Sequence, residues 1–146
     1  MSKYNNKKVD LDGHVFDSKA EANYYECLKI RHVKGEVEGF ELQPIFKLQP
    51  AFKKQDKSFQ AITYIADFLV YLSNGEVEVI DIKGVITETF NVKRKLFEYT
   101  YPHLQLILLK YVKKYGGFIT LDEYNKLHRT EKRAKNKTKQ SKGSGS

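Results

Sequence analysis

The spacing of apolar and polar positions changes several times along the chain, and each change marks an element. Val9-Asp10-Leu11 and His14-Val15-Phe16 flank Asp12-Gly13, a pair suited to a tight hairpin turn. Ser18-Lys19-Ala20-Glu21 then has capping-box spacing, with serine at the N-cap and glutamate three residues on. A helix is predicted from there to about Lys34 and stops at Gly35, with Ala20, Tyr24, Cys27, Leu28 and Arg31 on one face. Phe40 to Leu48 reads as a strand, edge or bulged because Pro44 has no N–H to donate. Pro50 to Ser58 is polar and lysine-rich and reads as a turn or loop. Phe59 to Leu72 is a long β-branched and aromatic run, and Asn74-Gly75 after it is the strongest hairpin signal in the chain. Glu76 to Lys83 alternates as the returning strand. Thr89 to Tyr101 carries Phe90, Leu96 and Phe97 on a core-facing side, with Pro102 just beyond its end. Leu104 to Leu109 is a continuous apolar run, the pattern of a buried strand parallel to its neighbour after a helical crossover. Thr120-Leu121-Asp122-Glu123 repeats the capping-box pattern and opens a third helix. The order hairpin, α, β, β, β, α, β, α is that of an α/β domain with a mixed central sheet flanked by helices.

Charge divides this picture in two. The 146 residues carry 26 Lys and Arg against 18 Asp and Glu, a net +8 that points to a polyanionic partner, nucleic acid before anionic membrane. From Lys126 onward eight basic residues face one acid, Glu131, so this stretch carries about +7 and residues 1–125 about +1. Residues 1–125 therefore read as one domain, and 126–142 as a basic tail, helical or disordered. Gly143-Ser144-Gly145-Ser146 reads as a flexible linker or appended scar. The tail is either simply solvated or a phosphate-binding arm; in the second case Arg129, Lys132, Arg133 and Lys135 contact nucleic acid. No apolar run reaches the roughly 18 residues of a membrane span, and the first residues lack a signal-peptide core. A single cysteine, Cys27, and four scattered histidines exclude a disulfide scaffold and a structural zinc site, and a cytoplasmic setting is expected.

Asp67 changes the picture again. It interrupts the apolar run from Ala61 to Val70, where a carboxylate is costly unless paired or bound to a metal. Asp81 and Lys83, two apart on the returning strand, project to the same sheet face. Counting back from Asn74-Gly75 pairs Ser73 with Glu76 and brings Asp67 near residue 82, so a small register adjustment sets it beside Asp81. Two readings follow. Adjacent carboxylates are a site for Mg²⁺ or Mn²⁺, with Lys83 orienting water and offsetting transition-state charge. Alternatively Asp67 and Lys83 form a buried ion pair and Asp81 merely ends its strand.

These residues also resemble a known pattern. Gly13-His14-Val15-Phe16-Asp17-Ser18-Lys19-Ala20-Glu21, Gln43-Pro44, Tyr64-Ile65-Ala66-Asp67-Phe68 and Asp81-Ile82-Lys83-Gly84 are similar to motifs of the PD-(D/E)XK nuclease superfamily. Within it, they more closely resemble a family of small phage and prophage proteins of the Holliday-junction-resolvase type, over roughly Val9 to Leu109. The block Phe16 to Glu21 also resembles the nuclease subunit of some transposases. The resemblance implies a restriction-endonuclease-like core, α-β-β-β-α-β. It implies that Asp67 and Asp81 bind metal, that the Ile82 carbonyl completes the shell, that Glu21 reaches the metal or its water, and that Lys83 is the motif lysine. Ala66 stands where the family pattern has proline. Glu21 keeps a competing role as the N3 residue of the capping box. Gln43 is implied to touch the scissile phosphate or the attacking water, the other reading being a sheet-edge amide. Lys93 or Lys95 faces the phosphate, or both lie on a solvated helix face. His14, His32, His103 and His128 show no ligand pairing and are read as non-catalytic, and Tyr99 and Tyr101 as packing residues.

The expected activity is a Mg²⁺- or Mn²⁺-dependent DNA endonuclease that hydrolyses phosphodiester bonds in branched DNA. Its setting would be phage recombination or DNA processing, as a twofold homodimer that makes two symmetric cuts. The competing readings are a non-catalytic nucleic-acid-binding module and a nuclease subunit that acts only with a transposase or recombinase partner.

Overall fold

A computed structural model describes residues 7–143, with side chains as far as residue 139. The chain divides into two compact units, Met1–Ile107 and Leu108–Ser146.

In the first unit, Val9–Leu11 (β1) and His14–Phe16 (β2) pair antiparallel. Asp12 and Gly13 both take positive φ, 52° and 78°, the turn that Asp-Gly favours. Helix α1, Lys19–Val33, begins where the Ser18 hydroxyl accepts the Glu21 N–H at 3.1 Å. Asp12 ties the hairpin to this helix, accepting from the Tyr25 hydroxyl at 3.1 Å and from Lys29 at 2.6 Å. The helix buries Ala22, Tyr24, Tyr25 and Leu28. Ala20 and Cys27, expected on that face, are only half-buried. Two adjacent tyrosine rings turn the helix instead, one towards Phe68 of the sheet (5.3 Å between centroids) and one towards Phe16 (5.0 Å).

Strand β3, Val37–Leu42, ends at Gln43-Pro44, so the segment expected as one strand to Leu48 is broken. Gln43 takes φ 51°, a left-handed conformation uncommon for a residue with a Cβ. Ile45–Gln49 (β4), Phe52–Lys54 (β5), Lys57–Phe59 (β6) and Ile62–Ile65 (β7) then build a ribbon, β4 antiparallel to β7 and β5 to β6. The stretch expected as a loop is thus paired, because Gln55 and Asp56 both take positive φ and reverse the chain. Phe68–Leu72 (β8) and Val77–Ile82 (β9) are antiparallel, and β8 also pairs antiparallel with β3. Their turn is one residue longer than Asn74-Gly75 suggests. The Leu72 N–H reaches the Glu76 carbonyl at 2.9 Å, and Ser73, Asn74 and Gly75 (φ 92°) make the loop. Phe68 therefore lies opposite Ile80, and one step further the register sets Asp67 against Asp81 rather than residue 82.

Helix α2, Glu88–Thr100, is capped by the Thr87 hydroxyl, which accepts the Phe90 N–H at 3.1 Å. Its Phe97 packs on the root of the ribbon, 5.0 Å from Phe46 and 5.6 Å from Tyr64. After this crossover, β10 (Gln105–Val112) begins in the first unit and follows β9 in the strand order. The unit thus runs α1, β3, β8, β9, α2, β10, with the ribbon inserted between β3 and β8. It is an α/β fold with a mixed central sheet and flanking helices. Its core includes the fully buried Leu28, Val37, Phe68, Val70, Val79, Ile80 and Phe97.

In the second unit β10 pairs antiparallel with Gly117–Thr120 (β11), a strand hidden in the sequence because Gly116-Gly117 reads as a turn. Helix α3, Leu121–Gly143, starts where the Thr120 hydroxyl accepts the Glu123 N–H at 3.2 Å, as the capping box predicts. Residues 126–142 lie within α3, and Arg129, Lys132, Arg133 and Lys135 are all exposed on it. Residues 144–146 of the expected linker fall outside the described residues. Among those described, no helix is long and apolar enough to cross a membrane.

Candidate active site

Asp67 sits in the break between β7 and β8, yet its backbone is held from both sides. Its N–H donates to the Ile80 carbonyl at 3.1 Å, and its carbonyl accepts the Gln43 N–H at 2.9 Å. Its carboxylate accepts the Ile82 N–H at 2.7 Å. Ile82 thus joins the site through its N–H, a contact the sequence did not suggest. Asp81, opposite, is 3% exposed. Its carboxylate accepts from the Tyr64 hydroxyl and lies 3.2 Å from the Lys83 ammonium. Lys83 in turn stands 4.1 Å from the centre of the Phe90 ring, a cation–π contact that fixes the ammonium further. The ion pair therefore joins Asp81 to Lys83, not Asp67 to Lys83 as one sequence reading had it. Asp67 is already engaged by the Ile82 N–H and lies beside the Asp81 carboxyl.

The electrostatics follow from packing acids together out of water. Burial pushes the Asp67 carboxyl up to about 9, with Asp81 and Glu21 adding to the rise and the Ile82 N–H opposing it. Glu21 lies three and four residues before Tyr24 and Tyr25, on the face that α1 turns to the sheet. Burial pushes its carboxyl up to about 7; the charges of Asp17 and Asp81 raise it further, while an Asp17 N–H hydrogen bond and Lys83 pull it down. Glu21 thus gives its backbone N–H to the helix cap, while its carboxyl accepts the Asp17 N–H and faces the charges of Asp81 and Lys83. Glu21, Gln43 and Asp67 line one cleft of about 220 Å³, walled by the β1–β2 hairpin through His14 and Phe16. Lys83 and Lys93 line a second recess of about 290 Å³ with Tyr64 and Phe90. Lys95 does not reach either; it lines a separate recess with Asn91, Arg94 and Glu98.

Three acids with one nearby lysine form a site short of positive charge. Among the described residues, no three His, Cys, Asp or Glu side chains are grouped so as to hold a metal ion. Asp67 and Asp81 are the two carboxylates that meet across the strands, and Glu21 acts on both through its charge. Two carboxylates are nevertheless a normal complement for Mg²⁺, which keeps most of its ligands as water. One residue at the site had no role assigned from the sequence. Tyr64 anchors Asp81, and the signal for it is that a tyrosine buried in a strand needs a partner for its hydroxyl. His14, read as non-catalytic, is part of the cleft wall.

No curated protein matches this chain. A family model matches residues 1–117, which include every residue of the cluster and stop short of α3. The chain therefore belongs to the family described as "Protein of unknown function (DUF1064)".

Proposed function

We propose that this protein is a divalent-cation-dependent DNA endonuclease of the PD-(D/E)XK type that cuts branched DNA in the cytoplasm of its host cell. The observation that carries this reading is the opposition of Asp67 and Asp81 across antiparallel strands, with Lys83 on Asp81. The order α1, β3, β8, β9, α2, β10 supports it, being the α-β-β-β-α-β order of that superfamily. Exposed Arg129, Lys132, Arg133 and Lys135 would add sequence-independent contacts to phosphates. Two cuts on a four-way junction call for two active sites, hence a homodimer.

Asp67 and Asp81 would hold Mg²⁺ or Mn²⁺. Such an ion, when bound, polarises the phosphoryl group under attack. Lys83, fixed by Asp81 and Phe90, offsets the negative charge that grows on the phosphoryl oxygens in the transition state. Tyr64 keeps Asp81 in one orientation. Glu21, with its carboxyl at about 7, is matched to take a proton from the attacking water near neutral pH. Gln43 locks the Asp67 backbone and offers its amide to the same cleft.

The test is incubation of the full chain with labelled four-way junction, flap and linear duplex, in Mg²⁺ or in chelator. Mg²⁺-dependent cleavage, fastest on the junction, is expected. Equal cleavage of linear duplex would reject the branched substrate. Binding without cleavage on all three would reject the enzyme and favour a binding module.

Two further outcomes are expected. Glu21→Gln should keep the fold, with a melting temperature in chelator at pH 8 at or above that of the wild type, because the Ser18 cap uses the Glu21 backbone N–H and glutamine has no raised carboxyl to ionise. It should slow cleavage by roughly 10²- to 10⁴-fold, the range for loss of a general base. Full activity would reduce Glu21 to a structural residue. Mg²⁺ affinity should rise with pH between about 7 and 9, because a cation between the carboxylates must displace the protons that Glu21 and Asp67 hold there. Calorimetric titrations at several pH values check this, and a flat profile would contradict it.

A further inference from the structure

The β5–β6 hairpin has a surface that its own fold does not explain. All six strand residues, Phe52–Lys54 and Lys57–Phe59, are exposed. The register pairs Phe52 with Phe59, Lys53 with Ser58 and Lys54 with Lys57. Cross-strand partners share a face and successive residues alternate. Phe52, Phe59, Lys54 and Lys57 therefore occupy one face, and Lys53 and Ser58 the other. The two phenylalanine rings stack at 4.8 Å and 11°, and remain 44% and 43% exposed. Beside them, two lysines stand directly opposite each other, an arrangement that destabilises a ribbon. Among the described residues, none of Lys53, Lys54 and Lys57 has an acid within ion-pair distance.

A ligand that relieves both features must carry closely spaced negative charges next to flat apolar faces. Nucleic acid does, with phosphates for the lysines and bases or sugars for the rings. A second copy of the chain would present the same lysines and be repelled. The position also fits. The ribbon runs back through β7 to Tyr64, whose hydroxyl is on Asp81. Phe59 and Tyr64 are five positions apart, with Gln60 and Ala61 between the two strands, so at most about 17 Å of chain at roughly 3.3 Å each separates them, a distance one DNA segment spans. A two-stranded ribbon is also narrow enough for a major groove.

We infer that the β5–β6 hairpin is a nucleic-acid-binding arm, with Lys54 and Lys57 on phosphates and the Phe52–Phe59 plate against bases or sugars. This rests on the reading of the carboxylate site as one that acts on DNA. The test is fluorescence anisotropy of a labelled four-way junction with the full chain in chelator, where binding is read without cleavage. Paired Lys54→Gln and Lys57→Gln should weaken binding about tenfold at moderate salt. They should also reduce the slope of log affinity against log salt by about 2, the loss of two phosphate contacts. Paired Phe52→Thr and Phe59→Thr should weaken binding several-fold with the slope unchanged. Lys53→Gln, on the opposite face, should bind within twofold of the wild type, and thermal melts confirm that each variant is folded. Wild-type affinity in both paired variants overturns the arm, as does an equal loss from Lys53→Gln. Loss of binding to phosphatidylserine vesicles with DNA binding intact also overturns it, since the occupant would then be a membrane. A wild type that binds but never cleaves in Mg²⁺, with the paired variants weakened, rejects the nuclease and retains the arm. Normal cleavage with unweakened variants rejects the arm alone.

Discussion

Asp81→Ala is expected to lower the rate of junction cleavage in Mg²⁺ by about 10³-fold or more, while junction binding in chelator survives. The size follows from how many interactions converge on one carboxylate. Asp81 would hold the cation with Asp67, and it fixes the ammonium of Lys83 at 3.2 Å. Removing one preorganised electrostatic group from such a site commonly costs 10²- to 10³-fold, and here two are disturbed together. The substitution also leaves the Tyr64 hydroxyl and Lys83 without their acid in a buried setting, which destabilises the protein by about 3 kcal/mol. Asp81→Asn separates the two effects. Its amide oxygen still accepts from Tyr64, so the fold should be largely retained while activity is lost. Single-turnover cleavage, corrected for the folded fraction from a thermal melt, checks both variants. Activity within tenfold of wild type in Asp81→Asn would place the chemistry elsewhere.

Asp67→Asn is expected to do the opposite to stability. Its carboxyl is pushed up to about 9 from an ordinary value of 3.8. A group whose folded value lies above its unfolded value contributes most below the unfolded value, and that contribution is lost as pH rises towards the folded value. Wild-type stability in chelator should therefore fall between about pH 4 and pH 9. Asparagine does not titrate, can still accept the Ile82 N–H through its carbonyl oxygen, and can donate to the Asp81 carboxylate. At pH 8 the variant should gain on the order of 2–4 kcal/mol, or roughly 5–10 °C in melting temperature. Mg²⁺ should raise the melting temperature of the wild type by binding its folded state, and should no longer do so in the variant. A melting temperature in chelator that is equal or lower in the variant would show that the carboxylates do not strain one another. Stability held back by a cluster of acids is the usual mark of a site kept for function.

What could be read from the sequence was local. The Asp12-Gly13 turn, the Ser18 and Thr120 caps and the common face of Asp81 and Lys83 depend on residues a few positions apart, and all appear as expected. The breaks at Gln43-Pro44 and Ala66-Asp67 do not, because each depends on the other: the Gln43 N–H binds the Asp67 carbonyl, and the Ala66 N–H binds the Pro44 carbonyl at 3.2 Å. The β8–β9 turn is longer than its Asn-Gly signal because the Asn74 side chain accepts the Glu76 N–H at 2.9 Å and closes a wider loop. The register then shifts by one, which is the adjustment that sets Asp67 against Asp81. The β5–β6 hairpin was hidden because lysine-rich segments read as loops and Gln55-Asp56 is a weak turn signal. The partner of Tyr64 lies 17 residues away on another strand, beyond any local pattern.

The carboxylate pair is tested most directly by Mn²⁺ binding, read from the loss of the free-ion paramagnetic resonance signal at pH 8. The wild type is expected to bind one Mn²⁺ per chain in competition with Mg²⁺. Affinity should fall by about 10- to 100-fold or more in both Asp67→Asn and Asp81→Asn. Binding that is undiminished in both variants, or no binding by a wild type that still cuts DNA, would contradict a cation held by Asp67 and Asp81.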